Sequence, residues 1–535
     1  MWSTNRAVYA VICISLGAIP LLAQQPSISA IQNNYSYTLP TVPNYGIAPG
    51  SLFVIFGSNL STVTTPVLQS SAAPGVPLTL NGVTVTASIN GTVAKVPLYY
   101  VSTTQIAGIL TASVPAGTGT ITVTNNGQAS APAPLQVVAS DFGILTTNNA
   151  GSGSAAAYDA NNKLLTATNS ARPGQTIVLW GSGVGADPGN DDRIFPQKQN
   201  NLSNIPVQVF MGGASAPVVY RGRSQFPGVD QIDVTVPAGV PTGCYVSLVV
   251  MSGNVVSNST TLPIAPNGGT CSDPNTEFTA AQLQALSNKS SVNVGTMFIS
   301  QEANVARNLS RNVFRGKFLN YASADFNART PSPGFLSYGS CQILTKEARA
   351  THLDVGPTLT VLGPGGEQGS ASPTTQKDGT PGDYVGSLPD GFIPSGGGSF
   401  TFSNGSGSAA VGPFNAAAVT MPPPLTWTNM GGISTINRSQ GVTVTWSGGS
   451  PGTFVMLLGA ARISSTSNAA VSFACAASLN SGQFTIPPSL LLAVPAGTGQ
   501  LILYNVTAPA PFSAPGLDLG AAFAEVGWNI PVMYQ

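Results

Sequence analysis

Charge and acid–base side chains are scarce in this 535-residue chain. It carries 19 Lys plus Arg, 19 Asp plus Glu and a single histidine, so its formal charge at pH 7 is zero. That balance argues against nucleic acid, which needs a cationic surface to displace counterions, and against a polybasic membrane patch. Between Gln24 and Ser140 the only charged residue is Lys95, and the stretch has no Asp, Glu, His or Cys. Proton transfer near neutral pH needs a tunable titratable group, so this stretch cannot run ordinary acid–base catalysis alone. No glutamate precedes Glu277. A carboxylate pair for glycoside hydrolysis must therefore use aspartates or residues after 270. The candidates there are Asp354, Glu367, Asp378, Asp383 and Asp390, and, mostly among Gly, Pro and Ser, they read as solvated turn residues. A serine hydrolase would need His352 as its base, yet no G-x-S-x-G elbow is present. No catalytic residue and no cofactor is expected.

Long apolar runs are also missing after the amino terminus. The opening "MWSTNRAVYAVICISLGAIPLLAQQ" places Arg6 before an apolar stretch from Ala7 to Leu22, then the small residue Ala23. This is the pattern of a secretory signal peptide spanning 1–23. The competing reading is a membrane anchor, which about 16 apolar residues interrupted by Pro20 fall short of forming. No transmembrane segment is expected after signal cleavage, and the chain reads as secreted or held at the cell surface.

Few cysteines remain beyond that segment: Cys244, Cys271, Cys341 and Cys475. An even number in an oxidising compartment suggests disulfides, and four cysteines allow three pairings. Cys244 with Cys271 and Cys341 with Cys475 are favoured, tying the end of one unit to the next segment and closing the carboxy-terminal region. A zinc site is the alternative, without any C-x-x-C spacing to support it.

Glycine and proline, by contrast, are abundant, at 60 and 43 residues. With low charge, this composition fits short strands and tight turns rather than disorder. "APGSLFVIFGSNLS" at 48–61 and "RPGQTIVLWGSGVG" at 172–185 repeat Pro-Gly, a strand and Gly-Ser. Gln105-Ile106 and Val114-Pro115-Ala116-Gly117 recur as Gln231-Ile232 and Val236-Pro237-Ala238-Gly239. The shared order indicates duplication. Alternation in "GTITVTNNG" marks strands with one buried face, whereas "LFVIF" and "TIVLW" are continuously apolar and predict cover on both faces. Two sandwiches are placed at 26–139 and 140–268.

The phrases "IAPGSLFVIFGSNLS", "VPAGTGTITVTNNGQAS" and "LQVV" resemble an IPT/TIG immunoglobulin-like domain. The tandem pair, with "RPGQTIVLWGSGVG" and "FPGVDQIDVTVPAGVPTGC", resembles an acidobacterial family of secreted tandem β-sandwiches of unknown function. The resemblance implies serial Ig-like sandwiches and export, and brings no catalytic residues.

In the remainder, 269–350 is expected to be a partly helical connecting segment and 351–535 a carboxy-terminal β-sandwich region. "TEFTAAQLQALSNK" predicts a short helix. "SQEANVARNLSRNVFRGKF" predicts another, because Val305, Leu309 and Val313 recur every four residues while Arg307, Arg311 and Arg315 do so on the opposite side. "VPAGTGQLILYN" at 494–505 echoes the closing hairpin of the first sandwich.

Three binding features stand out. Arg307, Arg311, Arg315 and Lys317 could grip a polyanion, against the plainer reading of a solvated helix face. Asp187, Asn190, Asp191 and Asp192 form a short oxygen-rich loop that could hold calcium, against an exposed acidic loop. Tyr99, Tyr100 and Trp180 could stack on sugars, with core packing as the alternative. The leading expectation is a non-enzymatic exported structural or adhesion protein. Its partners would be other surface proteins, matrix, polysaccharide or further copies of itself. The alternatives are a polysaccharide-binding or accessory protein and a hydrolase with its site after 270.

Overall fold

The computed structural model describes residues 24–62, 67–68, 76–187, 198, 201–275, 278–286, 288–329, 335–344, 349–464 and 469–535. The expected signal peptide at 1–23 lies outside them. The fold is mainly β, with mostly antiparallel strand pairs, and in each of the first two sandwiches two sheets pack around a shared core.

The first two sandwiches obey the repeat at the level of register. Strand Leu52–Ser58 pairs with Gln105–Ile109 so that Ile55 faces Ile106 and Phe56 faces Gln105. Strand Thr176–Ser182 pairs with Asp230–Thr235 so that Leu179 faces Ile232 and Trp180 faces Gln231. The glycines before these strands take φ of +78° at Gly50 and +80° at Gly174, a left-handed turn that a side chain would strain. Gly50 is constrained twice, since a Cβ there would lie 2.2 Å from Arg223 Nη2. One apolar core gathers Phe53, Ile55, Val85 and Val123, and a second gathers Ile177, Leu179, Val209 and Val250.

The continuously apolar runs are covered differently in the two copies. Leu52, Phe53, Val54 and Ile55 are all buried; Phe53 and Ile55 enter the core, while Leu52 packs with Ile109, Tyr35 and Tyr99 at the seam with the second sandwich. In the second copy Ile177 and Leu179 are buried but Val178 and Trp180 only half so. Trp180 rests near the Phe226 ring, 6.5 Å between centroids, and does not join the core, so core packing is not its role.

Polar groups join the two units at this seam. The Leu52 N–H donates to Ser182 Oγ at 2.8 Å, and that hydroxyl donates to the Gly228 carbonyl at 2.6 Å. Asn33 Nδ2 donates to the carbonyls of Asp141 and Ser182 at 2.9 and 3.0 Å. Behind the seam, Arg223 and Asp230 form a buried ion pair at 2.5 Å, and Asp230 also accepts the N–H groups of Gly183 and Val184. A buried pair satisfied this fully is costly to break from one side only.

Beyond the second sandwich, one long sheet carries two cores. Its last strand, Leu519–Tyr534, pairs in parallel with Ser291–Asn304 and antiparallel with Gly497–Thr507. Ala522, Ala524 and Val526 enter a core with Phe314 and Phe402, whereas Ile530, Val532 and Tyr534 enter another with Trp446 and Leu503. All six are even-numbered, so one face of the strand serves both cores in turn along its length. The echoed Val494 is buried in the second of these cores, as Val114 and Val236 are buried in theirs.

The expected first helix is present as Ala280–Ala285, capped by Thr279 with Gln282 in a reciprocal capping box. The expected second helix is not. Residues 300–318 lie in a hairpin of strands Ser291–Asn304 and Leu309–Ala322, and the second helix of the segment is Ser323–Ala328. Residues four apart share a face in a strand as well as in a helix, so the spacing did not discriminate. Exposure does: Val305 is 44% and Leu309 61% exposed, the reverse of an apolar helix face, while the even-numbered Asn312, Phe314 and Phe318 are buried.

Both favoured disulfides form, Cys244–Cys271 and Cys341–Cys475. Cys341 and Cys475 face each other on adjacent strands. Near the first bridge, Tyr245 and Ser247 donate backbone N–H groups to Ser337 Oγ and Ser340 Oγ at 2.9 and 3.0 Å, attaching the second sandwich to the region after it.

Candidate functional site

The hairpin redistributes the basic residues. Arg311, Arg315 and Lys317 occupy alternate positions of Leu309–Ala322, and therefore one face of the sheet, opposite the core face that carries Phe314 and Phe318. Arg307 stands apart in the turn, where its N–H donates to Asn304 Oδ1 at 3.0 Å. The four cations are thus a strand face plus a tip, not a helix face.

The neighbouring strands bring acids to that same face. Register sets Arg311 opposite Glu302, and Ser300 opposite Glu525. Tyr504 donates its hydroxyl hydrogen to Glu302 Oε2 at 2.6 Å, and Asn529 Nδ2 donates to Glu302 Oε1 at 2.8 Å. Burial pushes the Glu525 carboxyl up to about 7, with Glu302 raising it further and Ser300 and Arg315 opposing. Burial, with the two carboxylates, also holds the Tyr504 hydroxyl far above the usual phenol range. Sequence reasoning missed this cluster because its members lie on three strands far apart in the chain. The only available signal was Glu525 itself, the single charged residue in the apolar Leu519–Tyr534 strand.

The sequence-nominated acids do not gather. His352 Nε2 lies 3.0 Å from Asp383 Oδ1, and Lys317 Nζ lies 4.0 Å from Asp383 Oδ2. Asp354 instead accepts the Gly356 N–H at 2.9 Å and the Tyr384 hydroxyl at 3.4 Å, so His352 and Asp354 serve different networks. Asp378 accepts the Thr380 N–H and hydroxyl within its own turn, which lowers its pKa. Glu367 and Asp390 are exposed.

Asp187 is buried, close enough to Asp230 to act on its carboxyl, while Asn190, Asp191 and Asp192 lie outside the described residues. Among the described residues, no group of three or more His, Cys, Asp or Glu could hold a metal ion. Among them also, no helix is long and apolar enough to cross a membrane.

Aromatic candidates are committed elsewhere. Tyr99 donates its hydroxyl hydrogen to the Pro227 carbonyl across the seam. A cleft of 690 Å³ is lined by Tyr338, Trp446 and Phe454, but Trp446 is 4% and Phe454 1% exposed. Only Tyr338 could present a ring face to a sugar there.

No known protein family matches this chain, and no curated protein matches it. Among solved structures it is similar to the plexin A4 extracellular region, at 10% identity and a TM-score of 0.17 over 84% of this chain, which spans only 29% of that one. It is similar to the Bacteroides ovatus mixed-linkage glucan utilization locus SGBP-B, at 13% identity and a TM-score of 0.15 over 87% of this chain and 92% of that one. The Yersinia pseudotuberculosis adhesin InvE gives 15% identity and a TM-score of 0.14 over 42% of this chain and 60% of that one. Scores this low carry no argument about what the chain does.

Proposed function

We propose that this chain is an exported, non-enzymatic surface or extracellular protein whose coupled sandwiches hold contact faces in fixed positions. On this reading its first two sandwiches are of the IPT/TIG type, in the acidobacterial secreted family their phrases resemble. The observation that carries the proposal is the seam: Ser182 joins Leu52 of the first sandwich to Gly228 of the second through one hydroxyl, with no free linker between them. Two disulfides fit an oxidising compartment. The strand face of Arg311, Arg315 and Lys317 supports polyanionic matrix as a contact, since cations held at fixed spacing attract an extended anionic chain.

Beads coated with the purified chain test the reading. They should adhere to a sulfated or carboxylated polymer film in low salt, and the double variant Arg311→Ala, Arg315→Ala should lose most of that adhesion. Beads that never adhere, or a chain that turns over a hydrolase substrate with loss of turnover in Glu525→Gln, would contradict it.

A further inference from the structure

Near the tip of the long hairpin, a cleft of 540 Å³ opens between the turn and the ends of strands Thr453–Arg462 and Gly497–Thr507. Its size falls within the roughly 300–1,000 Å³ typical of small-molecule sites. Arg307 reaches it from the turn and Arg462 from a strand end 155 positions later. Both side chains are exposed, and among the described residues neither guanidinium has a hydrogen-bond or ion-pair partner. No carboxylate lines the cleft.

The amides around it are oriented by the network beneath. Glu302 can only accept, so Asn529 must turn its Nδ2 towards Glu302 Oε1. The same nitrogen donates to Gln500 Oε1 at 3.2 Å. That fixes the Gln500 oxygen inward and leaves the Gln500 Nε2 hydrogens for the cleft. Asn304 Oδ1 is likewise occupied by the Arg307 N–H, leaving its Nδ2 as the group on offer. The lining therefore presents donors: two guanidinium forks and two amide nitrogens. The rest is small, with Ala460, Ala470 and Gly499 giving no aromatic or broad apolar wall for a base or an acyl chain. A ligand that fits must be rich in acceptors, anionic at one point and larger than a bare anion.

We propose that this cleft binds an acidic saccharide unit, its carboxylate or sulfate bridged by Arg307 and Arg462 and its hydroxyls taken by Gln500 and Asn304. Guanidinium pairs match both anionic groups through parallel hydrogen bonds. The cleft lies at the hairpin-tip end of the sheet face that also carries Arg311, Arg315 and Lys317, none of which lines it, and it goes beyond a scaffold role by giving the chain a saccharide-binding activity.

Calorimetric titration of the full chain tests this with three probes, trigalacturonate, a chondroitin sulfate tetrasaccharide and maltotriose, plus inorganic sulfate as competitor. One or both acidic probes should bind and maltotriose should not. Arg307→Ala and Arg462→Ala should each weaken binding at least tenfold. Gln500→Glu, which puts a carboxylate into the donor lining, should do the same, while Arg172→Ala, at an exposed arginine of the second sandwich outside the cleft, should change it less than twofold. An unchanged melting temperature in these exposed-site variants separates loss of binding from loss of fold, and a variant that melts early is replaced by Arg462→Gln. The proposal is overturned by no binding of either acidic probe at millimolar concentration, by binding that survives both arginine variants, by equal loss in Arg172→Ala, or by sulfate competing as strongly as the saccharide.

Discussion

Tyr504 and Glu302, 202 positions apart in sequence, share a 2.6 Å hydrogen bond on the face of the sheet that joins the two carboxy-terminal cores. Glu525, buried beside them, is the group through which pH should act on this junction. A carboxyl raised from 4.5 to about 7 by burial keeps its proton in the fold while the unfolded chain has released it. The stability it supports is present below pH 4.5 and lost as pH rises towards 7, at about 1.4 kcal/mol per unit at most. Thermal melts between pH 4.5 and 8 should show this decline, and Glu525→Gln should flatten it while raising the melting temperature at pH 8.

Ser182 and Ser58 occupy the same place in the two copies of the Gly-Ser phrase, but only Ser182 is buried in the seam. Ser182→Ala should cost about 1–3 kcal/mol, because the Leu52 N–H is left without its acceptor in a buried position. Ser58→Ala should be neutral within about 0.5 kcal/mol. Urea denaturation of both variants gives the comparison.

Arg223→Ala should be among the most damaging single changes in the second sandwich. It strands the Asp230 carboxylate, at a cost of about 3–5 kcal/mol. Restoring part of that loss with the double variant Arg223→Ala, Asp230→Asn would identify the unpaired charge as the cause.

The long hairpin makes a different pair of substitutions diagnostic. Leu309→Lys should be tolerated, since Leu309 is exposed, whereas Phe314→Ala should cost about 3–5 kcal/mol by emptying a core position stacked on Phe402. A helix with the periodicity read from the sequence would put Leu309 on its buried face and give a large effect there too.

These positions also show what could be read in advance. Pro-Gly phrases and the Gln-Ile pairs were legible because strand register and turn conformation are set by residues adjacent in sequence, and the two copies check each other. The cysteine pairing followed from count and position. The hairpin was misread because a spacing of four fits both a helix and a strand, and exposure at Leu309, not periodicity, decides between them. Glu302, Tyr504 and Glu525 were invisible as a group, since only the pairing of Ser291–Asn304, Gly497–Thr507 and Leu519–Tyr534 in one sheet makes them neighbours.

Rigid coupling of the first two sandwiches is the physical claim on which presentation depends, and a spin-label distance measurement tests it most directly. Labels at Val93→Cys and Val219→Cys sit on exposed strand positions, 68% and 58% accessible, one on each sandwich. Pulsed electron spin resonance should return one narrow distance, which Ser182→Ala broadens. A broad or multiple distribution in the otherwise unaltered chain would contradict a fixed scaffold.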